Sequence, residues 1–187
     1  MKNERKQGLD GIETVPVGIK AIINLATLAE QPGVLPMPAK SVEAYDLSVE
    51  IPIETTPAKV WTTLTKDIGK WWPKHFFSGE EAKTFVVEGK LGGRAYEDWG
   101  DGAGAVWGTI IVWNPGQKMT WACEMYPSFG GPGRSFVSFE LASQGKSTVV
   151  RMTDAGICPD AKTAASLQSG WTELLGFLKA YCEAKKG

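Results

Sequence analysis

The stretch Leu167–Cys182, LQSGWTELLGFLKAYC, decides the fold of this chain. Leu167, Trp171, Leu174, Leu175, Leu178, Tyr181 and Cys182 recur three and four residues apart, the spacing of one face of an α-helix. Pro159-Asp160 opens the run. About four turns of apolar stripe result, wide enough to lie across a β-sheet. Such a stripe must be buried against another element, so the preceding sequence has to supply an apolar face.

It does so by alternation. Leu47, Val49, Ile51 and Ile53 alternate with Ser48, Glu50 and Pro52, the period of a half-buried strand over Tyr45–Ile53. Pro52 cannot donate a ladder hydrogen bond, which puts that end at a sheet edge or out of the sheet. Thr55-Thr56-Pro57-Ala58 combines a hydroxyl N-cap with proline in the first helical turn, and Val60, Trp61 and Leu64 follow as a short apolar stripe. A second helical turn over Asp67–Trp72 is stopped by Pro73. From Lys83 the period is two again. Strands are expected over 84–88, 94–99 and 106–113, then around Met119–Met125, Val137–Leu141 and Thr148–Met152. Turns are expected at Gly92-Gly93, Gly100–Gly104, Asn114-Pro115-Gly116, Phe129–Gly133 and Gln144-Gly145. The order is one strand, two short helices, six strands and one long helix. An antiparallel meander cannot bury its inner face alone, so the closing helix covers it and the fold class is α+β.

Residues 1–40 differ from the rest. Ile19, Ile22, Ile23, Ala26 and Ala29 fall at helical spacing, and prolines 32, 36 and 38 then favour extended backbone. We read an N-terminal extension, a short helix plus a proline-rich linker, ahead of a domain over 41–187. Twenty Lys and Arg against 21 Asp and Glu leave a net charge of -1, with no surplus of positive charge for nucleic acid. The apolar run Ala21–Ala29 is too short for a membrane span, and no cleavable leader follows the charged start. Cys123, Cys158 and Cys182 are odd in number and widely spaced, as structural thiols in the cytoplasm would be. One histidine, His75, makes a His/Cys metal site implausible, and neither metal nor cofactor is expected.

Several motifs together carry a resemblance. These are Thr56–Trp61 and Trp71-Trp72, then Leu91-Gly92-Gly93-Arg94, Trp107–Ile110 leading to Asn114-Pro115, Lys118–Trp121, Thr148–Thr153 and Gly170–Leu175. In order and spacing, from about Tyr45 to Glu183, the chain resembles the START-like, or SRPBCC, helix-grip superfamily. Within it the chain looks like the branch named for the activator of the Hsp90 ATPase. The resemblance implies a curved antiparallel sheet wrapped around the C-terminal helix, with a cavity between them. Many relatives carry a histidine where this chain has Asp154, and residues 1–40 have no counterpart in the family pattern.

The candidate cavity residues are Trp71, Trp72, Phe76, Tyr96, Trp107, Trp121, Met125, Phe139, Asp154 and Trp171. Aromatic residues fill cores as readily as they line ligand pockets, so any one of them can do either. Alternation places Asp154 on the inward face with Val150 and Met152. There a carboxylate needs a partner, for which Arg94 and Arg151 are the candidates, although alternation puts Arg151 on the opposite face. Its other reading is a turn cap at an exposed strand end. Glu97, Asp98 and Asp101 read as a solvated acidic loop, since they lack calcium-loop spacing. Gly100-x-Gly102 leads into a strand rather than a helix, which excludes a dinucleotide fingerprint. His75 reads as a loop residue near the cavity mouth, with no nucleophile motif beside it.

Three functions follow. The first is non-enzymatic binding of a hydrophobic or aromatic small molecule in the cavity. The second, implied by the resemblance, is a chaperone-interacting module using the outer sheet surface and the extension, with a homodimer as a further option. The third is a cyclase- or hydrolase-type enzyme working through Asp154 or His75.

Overall fold

Each alternating run becomes a strand in the computed structural model, which describes residues 41–184. The helix and linker expected within residues 1–40 lie outside the described residues. The strands are β1 (Glu43–Ile53), β2 (Thr84–Val87), β3 (Arg94–Gly100), β4 (Ala103–Asn114), β5 (Lys118–Met125), β6 (Gly133–Gln144) and β7 (Ser147–Cys158). The helices are α1 (Pro57–Thr65), α2 (Ile68–Trp71) and α3 (Ala161–Glu183). All seven strands form one antiparallel sheet in the order β1-β7-β6-β5-β4-β3-β2. Pairing is sequential except that β1 joins β7, with Leu47 opposite Asp154. β1 is thus an edge strand, which accommodates Pro52.

Local chemistry sets the element ends. The Thr56 hydroxyl accepts from the Lys59 amide, with Pro57 next in line, so α1 starts there. The Asp160 carboxylate accepts from the Thr163 amide at 2.8 Å and caps α3. The loop expected over Gly100–Gly104 is tighter than its composition suggests. Gly100 pairs with Ala103, and only Asp101 (φ 54°) and Gly102 (φ 82°) turn. Gly100 (φ 93°) is left-handed as well, and positive φ at both central residues suits a type I′ hairpin, whose twist matches that of its strands. Register shifts at Ala95/Tyr96 and at Ile110/Val112 break the ladder and bend the sheet.

The inner face carries Ile53, Ile110, Met119, Trp121, Val137, Phe139, Val150 and Met152, all buried. Trp171, Leu174, Leu175, Leu178 and Cys182 of α3 are buried with them in one core. Ties to β1 and its neighbours hold α3 in place. Lys179 Nζ donates to the Pro52 carbonyl at 2.7 Å, and the Glu54 amide donates to Glu183 at 2.8 Å. The outer face is polar where it crosses β5, β6, β7 and β1. Lys118, Glu140, Arg151 and Glu50 stand opposite one another in a ladder of alternating charge. Among the described residues no helix is long and apolar enough to cross a membrane.

Candidate functional site

The two halves of α3 differ in side-chain size. Its C-terminal half presents leucines to the core, whereas Thr163, Ser166 and Gly170 occupy the same face of its first half. Three small residues cannot fill the space above the sheet, and a cavity of about 520 Å³ remains. That volume falls within the range of small-molecule sites. The sheet contributes Trp107, Cys123, Met125, Ser135, Val137 and Asp154 to the wall. Phe76 and Phe129 enter from 3₁₀ turns at Lys74–Phe76 and Pro127–Phe129, and Leu167, Trp171 and Leu174 close the helix side. Glu124, Tyr126, Asp160 and Lys162 add the more polar part of the lining.

Asp154 lies mid-strand in β7, not at an exposed strand end, and only 2% of it is exposed. Neither expected arginine reaches it. Arg94 binds Glu88, and Arg151 binds Glu50 on the outer face. Its partners are neutral donors instead. Tyr45 donates its hydroxyl to Oδ1 at 3.1 Å, and Trp171 donates Nε1–H to Oδ2 at 2.8 Å. Burial raises the carboxyl pKa above its ordinary 3.8, while hydrogen bonds from Ser135, Trp171 and Tyr45 offset part of that rise. Burial likewise pushes up the neighbouring Tyr45 phenol and Cys123 thiol, so both stay neutral across ordinary pH.

This gives a signed expectation. A folded-state pKa above the unfolded value contributes stability that is complete below the unfolded value and lost as pH rises through the folded one. Asp154→Asn does not titrate there. The stability of the wild type minus that of Asp154→Asn therefore falls as pH rises from about 4 toward neutrality, and urea denaturation at stepped pH measures it. A flat or rising difference would contradict the assignment.

Glu97 corrects the acidic-loop reading. It is fully buried and accepts four hydrogen bonds. The Ser78 amide (2.6 Å) and Trp107 Nε1–H (2.7 Å) point at Oε1, and Ser78 Oγ (2.9 Å) and Trp99 Nε1–H (3.0 Å) point at Oε2. The carboxylate thereby ties the segment after the Phe76 turn to the sheet and fixes the Trp107 ring in the cavity wall. The available signal was the shared parity of Glu97 with inward-facing Ala95.

Of the ten candidate residues, Phe76, Trp107, Met125, Asp154 and Trp171 line the cavity. The other five sit elsewhere. Trp71 donates its indole N–H to the Thr63 carbonyl, and Trp72 stacks on Phe85 at 4.0 Å. Trp121 and Phe139 pack together in the core, with ring centroids 5.2 Å apart. Tyr96 lies on the outer face beneath the Arg94 guanidinium, 4.7 Å from its ring centre. Phe129, Val137, Leu167 and Leu174 are wall residues that sequence reasoning did not single out. His75 does not line the cavity. It is exposed, meets Glu173 at 3.0 Å and lies beside Phe76. The three cysteines are free thiols, and among the described residues no cluster of His, Cys, Asp and Glu could hold a metal ion.

Comparison with known proteins agrees with this architecture. No curated protein matches the chain. The Aha1 dimer from Colwellia psychrerythraea is 23% identical with a TM-score of 0.55, over 76% of this chain and 99% of that one. The Mll3558 protein from Rhizobium loti is 21% identical with a TM-score of 0.59, over 75% and 98%. DynU16, from the dynemicin biosynthetic locus, is 19% identical with a TM-score of 0.57 over 74% of this chain, but only 47% of DynU16 is spanned. At these identities the likeness shows the helix-grip fold alone. The family model described as activator of Hsp90 ATPase homolog 1-like protein matches residues 54–183, from the approach to α1 to the last residue of α3. The chain belongs to the activator of Hsp90 ATPase homolog 1-like protein family.

Proposed function

We propose that this chain binds a hydrophobic or aromatic small molecule in the space between its sheet and α3, without transforming it. One observation carries the proposal. A void of about 520 Å³ persists in a core otherwise crowded with indole rings, with mostly apolar walls and one buried carboxyl, Asp154. Apolar walls with a few placed polar groups are the usual design of such sites. Burial holds the nearby Cys123 thiol protonated, which supports binding over chemistry at that sulfur. The proposal places the molecule in the cytoplasm, with residues 1–40 an N-terminal extension ahead of the binding domain.

A broad panel of hydrophobic ligands, followed by tryptophan emission and melting temperature, tests it. Gly170→Leu sharpens the test. A β-carbon at position 170 would meet Phe76 Cε1 at 3.5 Å, an ordinary contact, and a longer chain would extend into the void. Replacing glycine in a helix interior also favours the helix by about 0.5–1 kcal/mol. We expect Gly170→Leu to keep or raise the melting temperature and to abolish the ligand response. A wild type unresponsive to the whole panel, or a variant that responds equally, would refute the proposal.

A second reading is a chaperone-binding module, working alone or as a homodimer. The family description favours it, as do Phe136 and Ile157, which are 57% and 43% exposed on the sheet. It ranks second because it leaves the cavity without a purpose.

A further inference from the structure

Two indoles of the cavity wall share an unusual arrangement. Trp107 donates its N–H to Glu97 at 2.7 Å, and Trp171 donates its N–H to Asp154 at 2.8 Å. Both acceptors are carboxyls at most 2% exposed, and among the described residues neither has a Lys, Arg or His partner. The core tryptophans differ. Trp72 and Trp121 leave their indole N–H without any acceptor. Each of the two wall indoles thus has a carboxyl on its N–H, and Glu97 takes the N–H of Trp99, outside the wall, as well. A carboxylate on an indole N–H pushes electron density into the ring and makes its face more attractive to positive charge. Phe76, Tyr126 and Phe129 add further rings to the same wall. Among the charged residues of the lining, Glu124 is already paired with Arg134, Asp160 caps α3, and Lys162 is the single base.

We infer that the cavity selects an organic cation, an aryl- or alkylammonium whose charged head sits among the wall rings beside Asp154. The inference rests on the cavity being a binding site and adds the charge of its occupant. Asp154 has room for that head. It lines the cavity while Tyr45, Trp171 and Ser135 hold it from the protein side, and a carboxylate can accept more bonds than these three. A cation supplies the counter-charge that Glu97 and Asp154 lack within the protein. It would also favour the ionised form of Asp154, whose carboxyl burial otherwise keeps protonated to higher pH.

The test compares two molecules of one shape. Phenyltrimethylammonium and tert-butylbenzene differ in a nitrogen cation replacing a carbon. A plain apolar cavity favours the neutral hydrocarbon, since stripping water from a cation is costly. Titration calorimetry and tryptophan emission on the full-length chain give both affinities. We expect the ammonium to bind about tenfold more tightly, the gain typical of a cation held by aromatic rings in a desolvated site. Asp154→Asn should remove that preference. If the hydrocarbon binds as tightly or more tightly, the cation inference is wrong and the apolar binding site stands. If neither produces heat or an emission change up to the solubility limit, the binding site itself is refuted, and the inference with it.

Discussion

Glu97→Ala is expected to be among the most damaging single substitutions in the domain. It removes one carboxylate and strands four donors from three segments, the Ser78 turn, β3 and β4. Each buried donor left without a partner costs about 1–3 kcal/mol. Some will find water once the Ser78 segment loosens, so a total near 4 kcal/mol is a reasonable expectation. For a domain of this size, that lowers the melting temperature by roughly 10 °C. Glu97→Gln keeps the shape but turns one acceptor into a donor facing other donors. It should recover less than half of the loss, because no rotamer of an amide accepts on both sides. Thermal and urea denaturation of the three proteins measure the effect. An alanine variant that melts within about 2 °C of wild type would show that the four bonds are dispensable.

Trp171→Ala is the second. Trp171 is 8% exposed, meets Phe139 edge-on with centroids 5.9 Å apart and holds Asp154. Truncating a buried tryptophan costs about 3–5 kcal/mol, the upper part of that range applying where the surroundings cannot collapse. An existing void beside the ring makes collapse harder still. Trp171→Phe separates the two roles of this side chain. It keeps most of the apolar contact and loses the N–H, so about 1–2 kcal/mol should go, with Asp154 harder to ionise. If the phenylalanine variant falls as far as the alanine variant, the hydrogen bond outweighs the packing. If both stay near wild type, α3 is not the element that closes the sheet.

The architecture was legible because it rests on local rules. Alternation marked the strands, a three-and-four stripe marked α3, and Thr56-Pro57 and Asp160 announced helix starts that the structure places where expected. The site was less legible because parity reports which face a residue takes but not its position across the sheet. Trp107 and Trp121 both point inward, yet one borders the void and the other is sealed in the core. What separates them is the small-residue half of α3, about fifty residues further on. Asp154 was placed on the correct face but given the wrong partners. Alternation already turned Arg151 outward, where it meets Glu50, but only the registry of β7 with β1 brings Tyr45 to Asp154. Glu97 was misread because its neighbourhood in sequence, acidic and glycine-rich, resembles a loop. Its neighbourhood in space is two indoles and the Ser78 amide.

The joining of β1 to β7 has a bearing on how such a site could ever arise in pieces. Tyr45 and Asp154 are separated by 109 positions and meet only when the first strand lies against the last. Trp107 comes from the middle of the chain, and Trp171 from its final helix. The cavity wall and the donors to its carboxyl consequently come from the first strand, the middle strands and the last helix of the described domain together. A fragment lacking β1 or α3 would therefore leave Asp154 without one of its donors, and one lacking α3 would keep only part of the wall.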